Sequence, residues 1–347
     1  MERKGGKDNE IKKILGITLA LGMAIVALPV NVDAANKLDV DVSENQTLQA
    51  LIGEKISPVI FEEISPDLRE TLLENNSGIQ TYTTGLGADQ YEPNDMPSAA
   101  TIGMSGRAVY GNFHDSTDVA DWFKFEVTSA DVSNEVPYSF ILTNIPADCD
   151  YDMYVVNSDI SGITHNLQTG TSSEQMVFSF TKAGTYYVVI QSSKGYDASN
   201  YYKLYFGRSW AHGLTGWANT GFTFNFDNKA QGTADYLYSS SGWQILDFRN
   251  NSAFPDGSVV NYFYLDATHT GDYAGLEKVL RAATDVDRWH EQLGGIDIFD
   301  LSSYNYPVKQ QWAIHGRVNY ANNFAWKPKV KIDFDYPILL QNMSYVR

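Results

Sequence analysis

One cysteine, Cys149, is the whole thiol content of this 347-residue chain, so no intrachain disulfide can staple it. Basic charge is also scarce. Lys and Arg total 25 against 42 Asp and Glu, a formal net charge of −17. A field of that sign repels nucleic acid and anionic membrane surfaces, and it excludes both as partners. Catalytic signatures are missing too. There is no G-x-S-x-G elbow and no Gly-rich phosphate loop, and "HEQLG" at 290 lacks the second His of a zinc-protease helix. The six histidines stand singly at 114, 165, 212, 269, 290 and 315. After residue 30 no run is apolar enough to span a bilayer.

What is present begins with a leader. Arg3, Lys4, Lys7, Lys12 and Lys13 precede the apolar run "ILGITLALGMAIVALPV", and the small-residue stretch "VDAA" follows. That three-part order predicts a secretory signal peptide over 1–34, cleaved near Ala34 or Ala35, and an extracellular product with no membrane tie afterwards. Export without disulfides fits a Gram-positive-like route better than a small stapled ectodomain.

Residues 35–87 read as an acidic spacer or pro-like segment. Ser43 is a candidate N-cap for a helix over "SENQTLQALIGEKI". Ser65 is the candidate cap of a second helix, with Pro66 at its first position and Leu68, Leu72 and Leu73 as its stripe.

From about 88 to 207 the pattern turns to short strands: "DWFKFEV", "YSFILTNI", "YDMYVVN", "QMVFSF", "GTYYVVIQSS" and "YYKLYF". Turn-rich stretches separate them, as in an all-β sandwich. In the first strand Trp122, Lys124 and Glu126 fall on one face and Phe123, Phe125 and Val127 on the other. From 208 a second β-rich region of unknown type follows, with "GFTFNF", "SVVNYFYLDA", "QQWAIHGRVNY" and "KVKIDFDYPIL" as strands. Leu276, Val279, Leu280, Ala283, Val286, Trp289 and Leu293 recur at helical spacing, so one helix is predicted over 272–295, ended by Gly294-Gly295. The expected fold class is all-β: a jelly-roll-like sandwich, then a mostly-β domain containing one helix.

Two acidic loops carry the candidate site. "DQYEPND" supplies Glu92, Asn94 and Asp95, and "DSTDVAD" supplies Asp115, Asp118 and Asp121. Calcium takes about six to eight oxygens, which no single short run provides, so the two loops would have to meet. Read alone, the same residues also fit Asx-turns and a solvated strand entry. "DQYEPND", "DSTDVADWFKFEV", "DCDYDMYVVNSDISG" and "TKAGTYYVVIQSSKGYDASNYYKLYF", in that order, resemble the bacterial pre-peptidase C-terminal domain over about residues 88–207. The collagen-binding domains of clostridial collagenases are similar to it. The resemblance implies a jelly-roll-like sandwich without catalytic residues, appended to secreted enzymes. It also implies a calcium site at Glu92, Asn94, Asp95, Asp118 and Asp121. One departure stands out: Gln90 occupies a place where those relatives carry a second Glu.

Three functions remain open on sequence. The first is a secreted non-catalytic binding or accessory protein that engages an extracellular protein or polysaccharide, or a secreted enzyme. The second is a hydrolase with its active site in 208–347, where two of the carboxylates Asp266, Asp272, Asp285, Asp287, Asp297, Asp300, Asp333 and Asp335 would serve as acid and base. Asp333 and Asp335 alternate with Ile332, Phe334 and Tyr336 and read as the wet face of a strand. The third is a structural surface or matrix component. Trp210, Trp217, Trp243, Trp289, Trp312 and Trp326 crowd the C-terminal half. Buried, they fill cores; exposed, they bind sugars or extended peptides.

Overall fold

The computed structural model describes residues 42–73, 88–103, 107–228, 239–293 and 297–346. The leader and its cleavage site, and Gly294-Gly295, lie outside the described residues. Among the described residues no helix is long and apolar enough to cross a membrane.

The first unit is two packed sheets. One has the strand order Glu62–Glu63, Gly162–Asn166, Asp150–Val156, Gly184–Lys194, Ala120–Val127 and Thr101–Ile102. The other runs Val109–Gly111, Tyr202–Arg208, Tyr138–Thr143 and Glu174–Phe178. Almost all pairings are antiparallel; Thr101–Ile102 joins Ala120–Val127 in parallel. The alternation predicted for 121–127 appears in the packing. Phe123, Phe125 and Val127 enter the core between the sheets, beside Phe140, Tyr151, Val188 and Tyr202. Cys149 is a buried free thiol just before the strand Asp150–Val156.

Trp122, on the opposite face with Lys124 and Glu126, is covered as well. It is fully buried in a separate cluster with Ile64, Leu72, Tyr154 and Val189. The cover comes from the acidic segment at 58–73. There Glu62–Glu63 extends the sheet by pairing with Gly162–Asn166, and the helix Pro66–Leu73 contributes Leu72 to the cluster that buries the indole. Ser65 caps that helix as predicted: its hydroxyl oxygen accepts from the Leu68 amide at 3.2 Å. The upstream helix is Val42–Ile52, so Ser43 falls inside its first turn rather than at its cap.

The second unit is also a sandwich. Trp210–Leu214, Tyr320–Pro337, Val259–Ala274 and Ile298–Asp300 form one sheet. Ser239–Ser240, Gln311–Val318, Glu277–Ala282 and His290–Leu293 form the other, with Gln244–Asp247 also on Gln311–Val318. The helix predicted over 272–295 is not formed. Strand runs to Ala274, turns at Gly275 in the left-handed region (φ 65°), resumes over Glu277–Ala282 and returns as His290–Leu293. Val279 and Leu280 are neighbours on opposite faces and both are fully buried. Burial at consecutive positions on both faces removes the period of two, which is why the spacing of Leu276, Val279, Leu280 and Ala283 imitated a helix. "GFTFNF" is likewise reduced to a two-residue strand, Phe224–Asn225, against Trp326 and Ala325.

The two sandwiches share apolar contacts. Ile141 and Tyr205, from the four-stranded sheet, belong to the core cluster that holds Ala211, Ile338, Met343 and Val346. The Lys203 ammonium, nearly inaccessible, donates to the carbonyls of Met343 and Val346, both at 2.6 Å. The join between the two units, within the Gly- and Trp-rich stretch "GRSWAHGLTGW" at 207–217, is packed backbone. The Ser209 amide donates to Pro137 O (2.9 Å), and Ser209 O accepts from Ile338.

Candidate metal centre and a second aromatic face

The two acidic loops meet. Asn94 O accepts from the Trp122 amide at 2.8 Å, which pins the "EPND" turn to the first residues of the strand that carries Asp121. Asp118 and Asp121 enter from the loop preceding that strand and from its start. Asn94, Asp95, Asp118 and Asp121 are all buried, Asn94 and Asp121 completely. Of the five predicted ligands, Glu92 and Asp118 present oxygens within 4.8 Å of each other, with a His114 ring nitrogen as the third member of that group. Asp95 and Asp121 are near enough to repel them, and the Asn94 amide donates to Glu92.

Asp118, Asp121 and Glu92 are each held by one oxygen. Asp118 Oδ2 accepts from the His114 amide (2.9 Å) and lies 2.7 Å from His114 Nδ1. Asp121 Oδ2 accepts from the Tyr202 hydroxyl. Glu92 Oε2 accepts from the Asn94 amide at 3.2 Å. The other oxygens, Glu92 Oε1, Asp118 Oδ1 and Asp121 Oδ1, have no hydrogen-bond partner among the described residues. The same is true of both side-chain polar atoms of Asn94. Buried polar atoms are ordinarily paired, because an unpaired one loses its hydration for nothing. Here several such oxygens crowd one pocket.

Electrostatics state the same problem. Burial, with Asp118 and Asp95 adding repulsion, pushes the Glu92 carboxyl up to about 8. Burial raises Asp118 to about 6 despite its bonds to His114. Asp121 is driven well above the usual carboxylate range, chiefly by burial and then by Asp118. The carboxylate and amide oxygens of this set suit a hard cation of the calcium type, with the His114 imidazole beside them.

Asp89, His114 and Tyr202 escaped the sequence reading of this pocket. Asp89 is buried beside it and builds the turn: Oδ1 accepts from the Tyr91 amide (2.7 Å) and Oδ2 from the Asn112 amide (2.9 Å). Gln90 is exposed, so the missing carboxylate at that position is not replaced inside the pocket by its amide. His114 lies within 4.8 Å of Glu92 and Asp118 through its ring nitrogen. Tyr202 arrives from the far end of the unit, where no local pattern could place it. Asp115, grouped with the second loop on sequence, instead caps Thr117 at the surface, and those bonds hold its carboxyl low.

The second unit offers different chemistry. Trp312 and Trp326 are core, whereas Trp217, Trp243 and Trp289 are among its exposed side chains. Trp243 and Trp289 meet edge to face with centroids 5.0 Å apart. The other face of the unit carries Asp333 and Asp335. They are not the wet side of a strand: Asp335 is buried, and both contact His212, at 3.4 Å from Nε2 and 3.0 Å from Nδ1. One imidazole thus lies against both carboxylates.

No protein-family profile matches the chain, and no curated protein matches it. Solved structures share a faint likeness. One is the M60 catalytic domain with the CBM51-1 and CBM51-2 domains of Clostridium perfringens ZmpB (6% identity, TM-score 0.21, covering 65% of this chain and 34% of that one). Another is a triple jelly roll protein of an archaeal virus turret (9%, TM-score 0.20, 65% and 59%). A third is the CBM22-1-CBM22-2 tandem of Paenibacillus barcinonensis Xyn10C (9%, TM-score 0.15, 68% and 99%). This chain thus spans about a third of the first of these and three fifths of the second. Scores of this size carry no argument about fold or activity.

Proposed function

We propose that the chain is an exported, non-catalytic binding protein whose first sandwich is stabilised by calcium. The observation that carries this reading is the set of unpartnered, buried oxygens on Glu92, Asn94, Asp118 and Asp121. Glu92, Asn94, Asp95, Asp118 and Asp121 would hold the ion, and Asp89, His114 and Tyr202 would orient them. A divalent cation would offset the mutual repulsion of these carboxylates and tie the entry turn to the strand. The resemblance to the pre-peptidase C-terminal domain supports the same assignment, and the leader supports export. The solvent-facing tryptophans of the second unit support engagement of an extracellular polysaccharide or protein.

Thermal unfolding in millimolar calcium against chelator tests the reading. A ligand of the native state stabilises it by mass action, by about 2.7 kcal/mol at a hundredfold excess over Kd. A midpoint raised by several degrees is expected. An unchanged midpoint would remove calcium from the account. Retention on collagen, gelatin, chitin, cellulose or peptidoglycan tests the binding half, and retention on none of them contradicts it.

A further inference from the structure

Arg281 lies on the outer face of the second unit, in the strand Glu277–Ala282. Its guanidinium carbon sits 5.1 Å from the ring centre of Trp243 and 5.6 Å from that of Trp289. The indoles come from other parts of the sheet. Trp243 precedes the strand Gln244–Asp247, and Trp289 precedes His290–Leu293. His315, on the central strand, stacks under Trp243 at 4.8 Å and 23° and steadies it. Beside this group Ile245, Ala313 and Arg281 lie in register across three strands, and Ile245 is 47% exposed.

The charge at this spot is unusual for so acidic a chain. Arg249, Arg288 and Arg317 each pair with a carboxylate. Arg281 has no such ion pair among the described residues. Its printed bond is a long one, Nη1 to Val286 O at 3.4 Å. A planar cation is held against two half-exposed indoles with donors to spare. Such a fork matches a carboxylate with two parallel bonds, and an indole face takes the C–H side of a sugar ring.

We propose that Trp243, Arg281 and Trp289 form a binding site for a carboxylated sugar ring within a glycan chain, with the carboxylate on Arg281 and the ring on Trp289. This rests on the binding-protein reading above and names the ligand class for it. The net charge of the chain opposes polyanions at a distance. Screening at physiological salt confines that opposition to about 8 Å, so contact chemistry decides.

The test is calorimetric titration of the full chain with trigalacturonic acid and with its carboxyl-reduced counterpart, at about 0.15 M salt. The acid is expected to bind at least tenfold more tightly than the reduced sugar. Arg281→Lys, which keeps charge but loses the planar fork, and Trp289→Ala should each weaken binding at least tenfold with little change in melting midpoint. Equal binding of the two sugars, or full affinity in Arg281→Lys, overturns the assignment. So does failure to bind either sugar by a chain that is retained on another polymer, and in that case the binding reading itself survives. A chain retained by no polymer and no sugar overturns both.

Discussion

The Tyr202 hydroxyl donates to Asp121 Oδ2 at 2.6 Å, deep in the first sandwich, while the buried Asp121 Oδ1 has no hydrogen-bond partner among the described residues. The two residues are 81 positions apart, so the far strand of the unit sets the orientation of a residue in the acidic pocket. Gly111 keeps that contact open, because a Cβ there would fall 2.3 Å from the hydroxyl. Tyr202→Phe should lower stability by about 1–3 kcal/mol, the range for a lost bond to a charged or buried group. Gly111→Ala should do the same by displacing the phenol. Chemical unfolding in saturating calcium measures both, and wild-type stability in either variant would contradict the stated role of the contact.

Ionisation of the pocket should show in the metal-free protein. Burial raises Glu92 to about 8, Asp118 to about 6, and Asp121 and Asp89 in the same direction. A carboxyl raised above its unfolded value contributes stability that is present below the unfolded value and is lost as pH rises through the folded one. In chelator, the midpoint should therefore fall between about pH 5 and pH 8. Calcium should flatten that slope, since it favours the ionised form. A chelated protein that gains stability over this range would contradict the assignment.

The acidic N-terminal segment is a structural cover. Leu72 belongs to the cluster that buries Trp122, so Leu72→Ala should cost about 2–5 kcal/mol and shift tryptophan emission to the red. Unchanged emission and stability would show that Trp122 is shielded without it.

How much of this was legible can be judged at particular residues. The strands of 120–208 were, because Phe123, Phe125 and Val127 alternate cleanly with a different environment on the other face. The same alternation hid the burial of Trp122, since its cover comes from a segment more than forty positions earlier and leaves no local mark. Val279 and Leu280 misled in the opposite way: with both faces covered, the strand lost its period of two. At the site, the two acidic loops were readable, with Asp115 among their residues; the narrower set Glu92, Asn94, Asp95, Asp118 and Asp121 came from the family resemblance. Asp89 and His114 were hidden among ordinary turn residues. Tyr202 was not readable at all, because its role exists only once distant strands pair.

The C-terminal residues are strapped by one buried cation. Lys203→Met should leave the Met343 and Val346 carbonyls without their donor and speed amide exchange over 340–346. Exchange protection equal to wild type would contradict a strapping role.

The most direct measurement of the central claim is calorimetric titration of the chelator-treated chain with calcium, beside the variant Asp121→Asn. The account predicts saturable binding near one ion per chain in the wild type and a loss of at least tenfold in affinity in Asp121→Asn. No saturable heat in the wild type, together with an unchanged melting midpoint in calcium, would contradict it.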